Sequence, residues 1–326
     1  MKKIISILMT SVLMIGCLSS CGTNVKNPAA DGEKLQIVTT IFPEYDWMKN
    51  VLGDNPAGAE LTLLLNNGVD LHSYQPTTDD ILKISTCDIF VYVGGESDEW
   101  VDDALENAAN KDMVVINLID VLGDSAKVEE AVEGMQEEEE EESGDDEIEY
   151  DEHVWLSLKN AAIFTDSIEK ALEKADPSNA GTYSANAEAY IEKLDALDAR
   201  YQEAVSKASV KTLLFGDRFP FRYLTDDYGL SYYAAFAGCS AETEASFDTI
   251  TFLAKKMDEL SLHAVTTIEG QDHRLAETII ENTASKDQKI VVMDSMQATT
   301  EKDIEEGTTY LLIMEENLSA LEEILE

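Results

Sequence analysis

Short apolar runs alternate along most of this chain with amphipathic stretches. Leu35 to Phe42 is a β-branched run closed by Pro43, the pattern of a buried strand. The spacing then predicts a helix over Tyr45–Val51, a strand over Glu60–Leu65, a helix over Thr78–Ser85, a strand over Ile89–Val93 and a helix over Trp100–Ala109, with Met113–Leu118 closing the set. After an interruption the alternation resumes. Asn160–Ala175 reads as a helix with apolar positions at Ala162, Ile163, Ile168, Ala171 and Leu172, and Asp176-Pro177-Ser178 as a stop and a new start. Asn179–Ser206 has no proline and a single early glycine, Gly181. As one helix of about 27 residues it would be ~40 Å long, the width of a domain. A second set follows: strands over Thr212–Gly216, Ser231–Phe236, Ala264–Ile268 and Ile290–Met293, and helices over Phe221–Asp227, Phe247–Leu260, Arg274–Thr283 and Tyr310–Leu325. Buried strands alternating with helices imply parallel sheets covered by helices. The expected architecture is therefore α/β: two Rossmann-like βα lobes with parallel sheets, joined by one long rigid helix. Ligands of such sheets sit beyond the carboxyl ends of the strands, which places a shared site in the cleft between the lobes.

Three segments fall outside that pattern. Met1-Lys2-Lys3 is a short positive region before the apolar run Ile4–Ile15, which is too short to span a bilayer and suits the core of an export signal. The run ends in Leu18-Ser19-Ser20-Cys21, which resembles a bacterial lipobox with Cys21 as the lipidated residue; Met14-Ile15-Gly16-Cys17 is a weaker version of the same signal. Acyl chains on Cys21 would hold the body of the protein at the membrane surface, with Gly22–Lys34 as a polar tether. The third segment, Val128–Glu152, contains the unbroken run Glu137–Glu142 and six more acidic residues from Asp145 to Glu152 without a base. Self-repulsion and the lack of apolar side chains read as a solvated loop. The expected division is a signal peptide over 1–20, a tether over 21–34, an N-terminal lobe over 35–158, linker helices over 159–207 and a C-terminal lobe over 208–326.

Charge narrows the partners. Among 326 residues, 66 acidic side chains against 23 basic ones leave a formal charge of −43, which repels phosphate backbones and excludes a nucleic-acid binder. Beyond the signal only Cys87 and Cys239 remain. Export permits a disulfide, but the two belong to different lobes, so two free, packed thiols are expected.

Chemistry rests on few side chains. Of four histidines, His72 lies in Gly68-Val69-Asp70-Leu71-His72-Ser73-Tyr74-Gln75-Pro76, between a strand and a helix. His153 lies in Glu152-His153-Val154-Trp155-Leu156, where the acidic loop rejoins the fold. With Ile37-Val38-Thr39-Thr40-Ile41-Phe42-Pro43, Lys159-Asn160-Ala161 and the late Met293-Asp294-Ser295-Met296, these elements resemble the zinc- and manganese-specific solute-binding proteins of bacterial ABC importers across essentially the whole mature chain. The resemblance implies a two-lobe fold with a rigid helix, His72 and His153 as metal ligands from the first lobe and Asp294 as one from the second. Neutral imidazole and carboxylate suit Zn²⁺, and Mn²⁺ as the alternative.

One position departs from that pattern. Where relatives present a ligating histidine or glutamate, this chain has Arg218, in Gly216-Asp217-Arg218-Phe219. A guanidinium has no lone pair to give. Glu269, at the end of the third strand of that lobe, is the expected replacement, with Arg218 pairing to Glu269 or Glu244 behind it. Asp217 and His273 are alternative ligands, and water completing the shell is another option. The implied function is an extracytoplasmic, lipid-anchored monomer that captures a divalent metal and passes it to an ABC permease. A receptor for an anionic metal chelate, a surface adhesin of the same fold and a zinc hydrolase stay open, although no HExxH, GxSxG or P-loop pattern is present. The acidic loop is either a weak cation antenna or a plain solvated insert.

Overall fold

The structure, a computed structural model, describes residues 34–136, 149–240, 244–270 and 272–326; the export signal with Cys21, nearly all of the tether and the heart of the acidic run lie outside these residues. The first lobe contains β1 (Gln36–Thr39), α1 (Phe42–Leu52), β2 (Glu60–Leu63), α2 (Thr78–Thr86), β3 (Ile89–Tyr92), α3 (Trp100–Glu106), β4 (Val114–Asn117) and α4 (Leu118–Leu122). Its four strands are parallel in the order β2-β1-β3-β4. Every residue of β3 is buried, as expected of a strand with helices on both faces.

Two helices lead out of this lobe, α5 (Leu158–Ala175) and the 28-residue α6 (Ala180–Lys207). Along α6 the buried positions are Tyr183, Ala187, Tyr190, Leu194, Leu197, Tyr201 and Val205, so a single stripe faces the body of the protein. The second lobe contains β5 (Thr212–Phe219), α7 (Arg222–Tyr228), β6 (Ser231–Ala237), α8 (Phe247–Leu260), β7 (Ala264–Ile268), α9 (Arg274–Glu281), β8 (Lys289–Met293), α10 (Glu301–Glu305) and α11 (Tyr310–Leu325). Its sheet repeats the first in the order β6-β5-β7-β8, again parallel. Among the described residues no helix is long and apolar enough to cross a membrane.

Both lobes contribute to one apolar cluster, which runs from Leu35, Phe90 and Trp155 through α6 to Phe215, Met293 and Leu321. A smaller cluster under α8 and α9 includes Leu214, Phe236, Leu253 and Ile279. The lobes are also tied by specific bonds. Trp155 Nε1 donates to the Ser295 carbonyl at 2.9 Å, and Tyr310 Oη donates to the Trp155 carbonyl at 2.7 Å. The Tyr310 ring meets Trp47 of the first lobe edge-on, with centroids 5.2 Å apart.

The acidic insert differs from its expected solvated state at both flanks. Val128 and Tyr150 form an antiparallel bridge, with Glu129 N donating to Glu149 O and Asp151 N to Lys127 O. From there the chain crosses to the second lobe. Gln136 N donates to the Ala235 carbonyl at 2.9 Å, Ser246 N to Gln136 Oε1 at 2.7 Å, and Met135 is buried. Val132 and Met135 supply the apolar contact that a purely acidic loop would lack, so these flanks dock.

Candidate metal centre

Sequence-local turns place the two histidines. β2 ends at Leu63, and Gly68 takes φ +75°, where an added Cβ would lie 3.2 Å from the Ala298 carbonyl oxygen of the opposite lobe. A 3₁₀ turn over Leu71–Ser73 follows, capped by Asp70, whose carboxylate accepts from His72 N at 3.0 Å. His153 precedes a second such turn, Val154–Leu156, and its backbone N donates to Asp151 Oδ1 at 2.9 Å. The two rings converge, with Nε2 to Nε2 at 3.2 Å and centroids 5.1 Å apart.

Each ring is fixed through its other nitrogen. His72 Nδ1 lies 2.8 Å from Ser97 Oγ and 3.2 Å from Glu152 Oε2. His153 Nδ1 lies 3.1 Å from Asp151 Oδ1. A carboxylate behind Nδ1 sets the tautomer and leaves Nε2 with its lone pair outward, the usual support of a metal-bound imidazole. Burial would raise the Glu152 carboxyl, but the bonds and charge from His72, helped by Ser97, outweigh it and hold Glu152 below the ordinary carboxylate range. Burial would likewise depress His153; Asp151, Glu152 and Asp70 overcome it and raise that imidazole. The site is thus a sink for positive charge.

The second lobe meets this pair with an unforeseen residue. Among the described residues, His72, His153 and Cys239 each offer a ligand atom within 4.8 Å of the others. Cys239 follows the end of β6, and the preceding Gly238 leaves the room: a Cβ there would lie 2.9 Å from His153 Cε1 and 2.9 Å from the Phe219 carbonyl oxygen. Cys239 N donates to Glu129 Oε1 at 3.1 Å, and burial, with the charge of Glu129, pushes its thiol pKa upward. Cys87 is buried at the end of α2, just before β3, its thiol pushed up to about 12 by burial, and neither cysteine is in a disulfide. The signal that marked Cys239 in the sequence was its position just past a strand of a parallel sheet, the same signal that marked His72.

The other expected residues lie elsewhere around the cleft. Asp294 and Glu269 are not among the three residues grouped within 4.8 Å. Glu269 accepts from Ser295 N at 2.7 Å, Ser295 Oγ at 2.8 Å and Gln297 N at 3.1 Å, so it shapes the loop that bears Asp294. Asp294 Oδ1 accepts from Met296 N at 2.7 Å, and its pKa is pushed up to about 7 by burial and then by the charge of Glu269. Asp217 uses both oxygens on the backbone, accepting from Arg218 N at 2.9 Å and Ile268 N at 3.2 Å. His273 turns to Thr267 Oγ1 at 3.0 Å. Arg218 was expected against Glu269 or Glu244; instead it crosses the cleft, and its guanidinium donates to Asp70 Oδ2 at 2.7 Å. Asp70 stands beside His72, so the pairing follows from the approach of the lobes rather than from either lobe alone. A cleft of about 660 Å³ lined by Asp70, Arg218, Ser240, Glu244, His273 and Arg274 opens next to the centre.

The spacing fits a divalent cation. Two nitrogens at about 2.0–2.1 Å from a tetrahedral ion are about 3.3 Å apart, close to the observed 3.2 Å.

The family model for the periplasmic A component of zinc-uptake complexes matches residues 37–324. The zinc-binding lipoprotein AdcA of Streptococcus pneumoniae is 33% identical over 325 residues, covering 99% of this chain and 61% of that protein, so the chain spans about three fifths of that relative's length. The high-affinity zinc uptake system protein ZnuA of Bacillus subtilis is 29% identical over 313 residues, 94% of this chain and 93% of the relative. Among solved structures, the Zn(II)-bound ZnuA-like domain of S. pneumoniae AdcA superposes with a TM-score of 0.69 at 30% identity, over 90% of this chain and 99% of that one. The metal-dependent lipoprotein YcdH of B. subtilis superposes with a TM-score of 0.72 at 27% identity, over 90% and 99% respectively. With a family match over nearly all of its described length and the same two-lobe fold, the chain belongs to the ZnuA family, the periplasmic A components of zinc-uptake complexes.

Proposed function

We propose that this protein is the extracytoplasmic receptor of a metal ABC importer, lipid-anchored through Cys21, which captures Zn²⁺ between its lobes and delivers it to the permease. The observation that carries this reading is the opposed Nε2 pair of His72 and His153 at 3.2 Å, each ring backed by a carboxylate on Nδ1. Zinc is favoured over manganese because paired imidazoles suit the softer ion. In this reading Asp294, outside the three-residue group of this structure, comes to supply an oxygen ligand from the second lobe once metal is bound, and Glu269 holds its loop. The family match and the zinc-binding names of the relatives support the same cargo. Metal held by both lobes would stabilise one mutual orientation by mass action, which gives a permease a shape that reports loading.

The test is titration calorimetry of the mature chain with Zn²⁺. His72→Ala and His153→Ala are each expected to weaken binding by orders of magnitude while the fold is kept; near-native affinity in both variants would overturn the assignment.

A further inference from the structure

We propose that the Cys239 thiolate is a zinc ligand in this protein, taking the coordination position that Arg218 leaves without a donor. The inference rests on the zinc-receptor reading and deepens it. The geometry supports it on three sides. First, Cys239 places a ligand atom within 4.8 Å of a ligand atom on each histidine. In a tetrahedral site with Zn–S of about 2.3 Å and Zn–N of about 2.0–2.1 Å, sulfur and nitrogen are about 3.6 Å apart. An approach of about 1 Å closes the difference, well within the rotamer freedom of a cysteine.

Second, the end of β5 is engaged elsewhere. Asp217 spends both oxygens on backbone N–H groups, and Arg218 is a cation engaged with Asp70. β6 is the neighbour of β5, with Phe236 opposite Arg218 and Ala237 opposite Phe219, so the next turn of chain comes to the same end of the sheet. Third, Gly238 lets the backbone come close to the His153 ring, which brings the next residue, Cys239, to the histidine pair. Glu129 accepts from Cys239 N at 3.1 Å and fixes that turn from the first lobe. On binding, the Zn–S bond forms as the S–H bond breaks, and the proton leaves to solvent. A thiolate also sharpens selection against Mn²⁺ and Ca²⁺, which prefer oxygen donors.

Co²⁺ is the probe, loaded into the full mature chain. The wild type is expected to show a near-ultraviolet thiolate-to-cobalt charge-transfer band, absent in Cys239→Ser and retained in Cys87→Ser. Zn²⁺ is expected to protect Cys239 from alkylation, and Cys239→Ser to bind Zn²⁺ on the order of a hundredfold more weakly. Cobalt bound to the wild type without that band, together with unprotected alkylation, would overturn the inference even if Cys239→Ser misfolds. If zinc binds tightly and depends on His72 and His153 but the sulfur signals are missing, the thiolate fails and the receptor reading stands. If the wild type binds neither ion, the receptor reading fails with it.

Discussion

Glu44 offers a sharp test of how burial governs this fold. Its side chain is fully buried at the start of α1, where Oε2 accepts from Thr40 N at 2.8 Å, Thr40 Oγ1 at 3.1 Å and Ile41 N at 3.3 Å. Burial, then the charge of Asp98, raises its pKa from 4.5 to about 8; the bonds from Thr40 and Ile41 oppose this and lose. The folded state therefore binds a proton that the unfolded chain releases above 4.5. A raised folded pKa means that the contribution of Glu44 is fully present below 4.5 and is lost as pH rises through about 8. At about 1.4 kcal/mol per decade of proton concentration, the loss is on the order of 5 kcal/mol across that window. Asp98, raised to about 7 chiefly by burial, adds to the same trend. Glu44→Gln keeps the shape and an accepting oxygen but cannot ionise. Urea unfolding of both proteins from pH 5 to pH 9, with chelator present, is expected to show the variant gaining on the wild type as pH rises and overtaking it by a few kcal/mol at the alkaline end. A stability difference that stays constant across this range would refute the reasoning.

Other substitutions probe the site and its supports. Gly238→Ala pushes a methyl against His153 Cε1 and the Phe219 carbonyl; the expected cost is about 1–3 kcal/mol in unfolding experiments, with weakened zinc binding by calorimetry. Glu269→Gln removes the charge that organises Ser295–Ala298 and is expected to lower zinc affinity about tenfold, whereas Glu277→Gln on the exposed face of α9 leaves it unchanged. Tyr310→Phe strips the Trp155 carbonyl of its 2.7 Å donor, and the expected loss is about 1–3 kcal/mol in the unfolding free energy.

The periodicity carried most of the architecture because each element buries a face. Phe247–Leu260, Ala264–Ile268 and Tyr310–Leu325 lie where their apolar positions put them. The exceptions have local causes. β5 runs on to Phe219 because a register shift between Phe215 and Arg218 carries polar Asp217 and Arg218 along the strand, where the sequence reads as a loop. The helices Leu118–Leu122 and Glu301–Glu305 are too short to display a period, and the second is set by its Thr300 cap instead. At the site, the two histidines were legible because their turns carry local signatures. The Arg218–Asp70 bridge and the approach of Cys239 were not, since both depend on how one lobe rests on the other. The docking of the acidic insert at Met135 and Gln136 escaped for the same reason: a few apolar side chains in a run of charge gain meaning only from the surface they meet.

The last helix has a consequence for how the molecule is put together. Tyr310 opens α11 against α1 of the first lobe, its ring against Trp47 and its backbone N donating to Asp46 Oδ2 at 3.3 Å, so a helix that follows the second sheet completes the packing of the first lobe. Synthesis must therefore pass α11 before the packing of the amino-terminal lobe is whole. Neither half is a severable module, and heat should dismantle both in a single cooperative step.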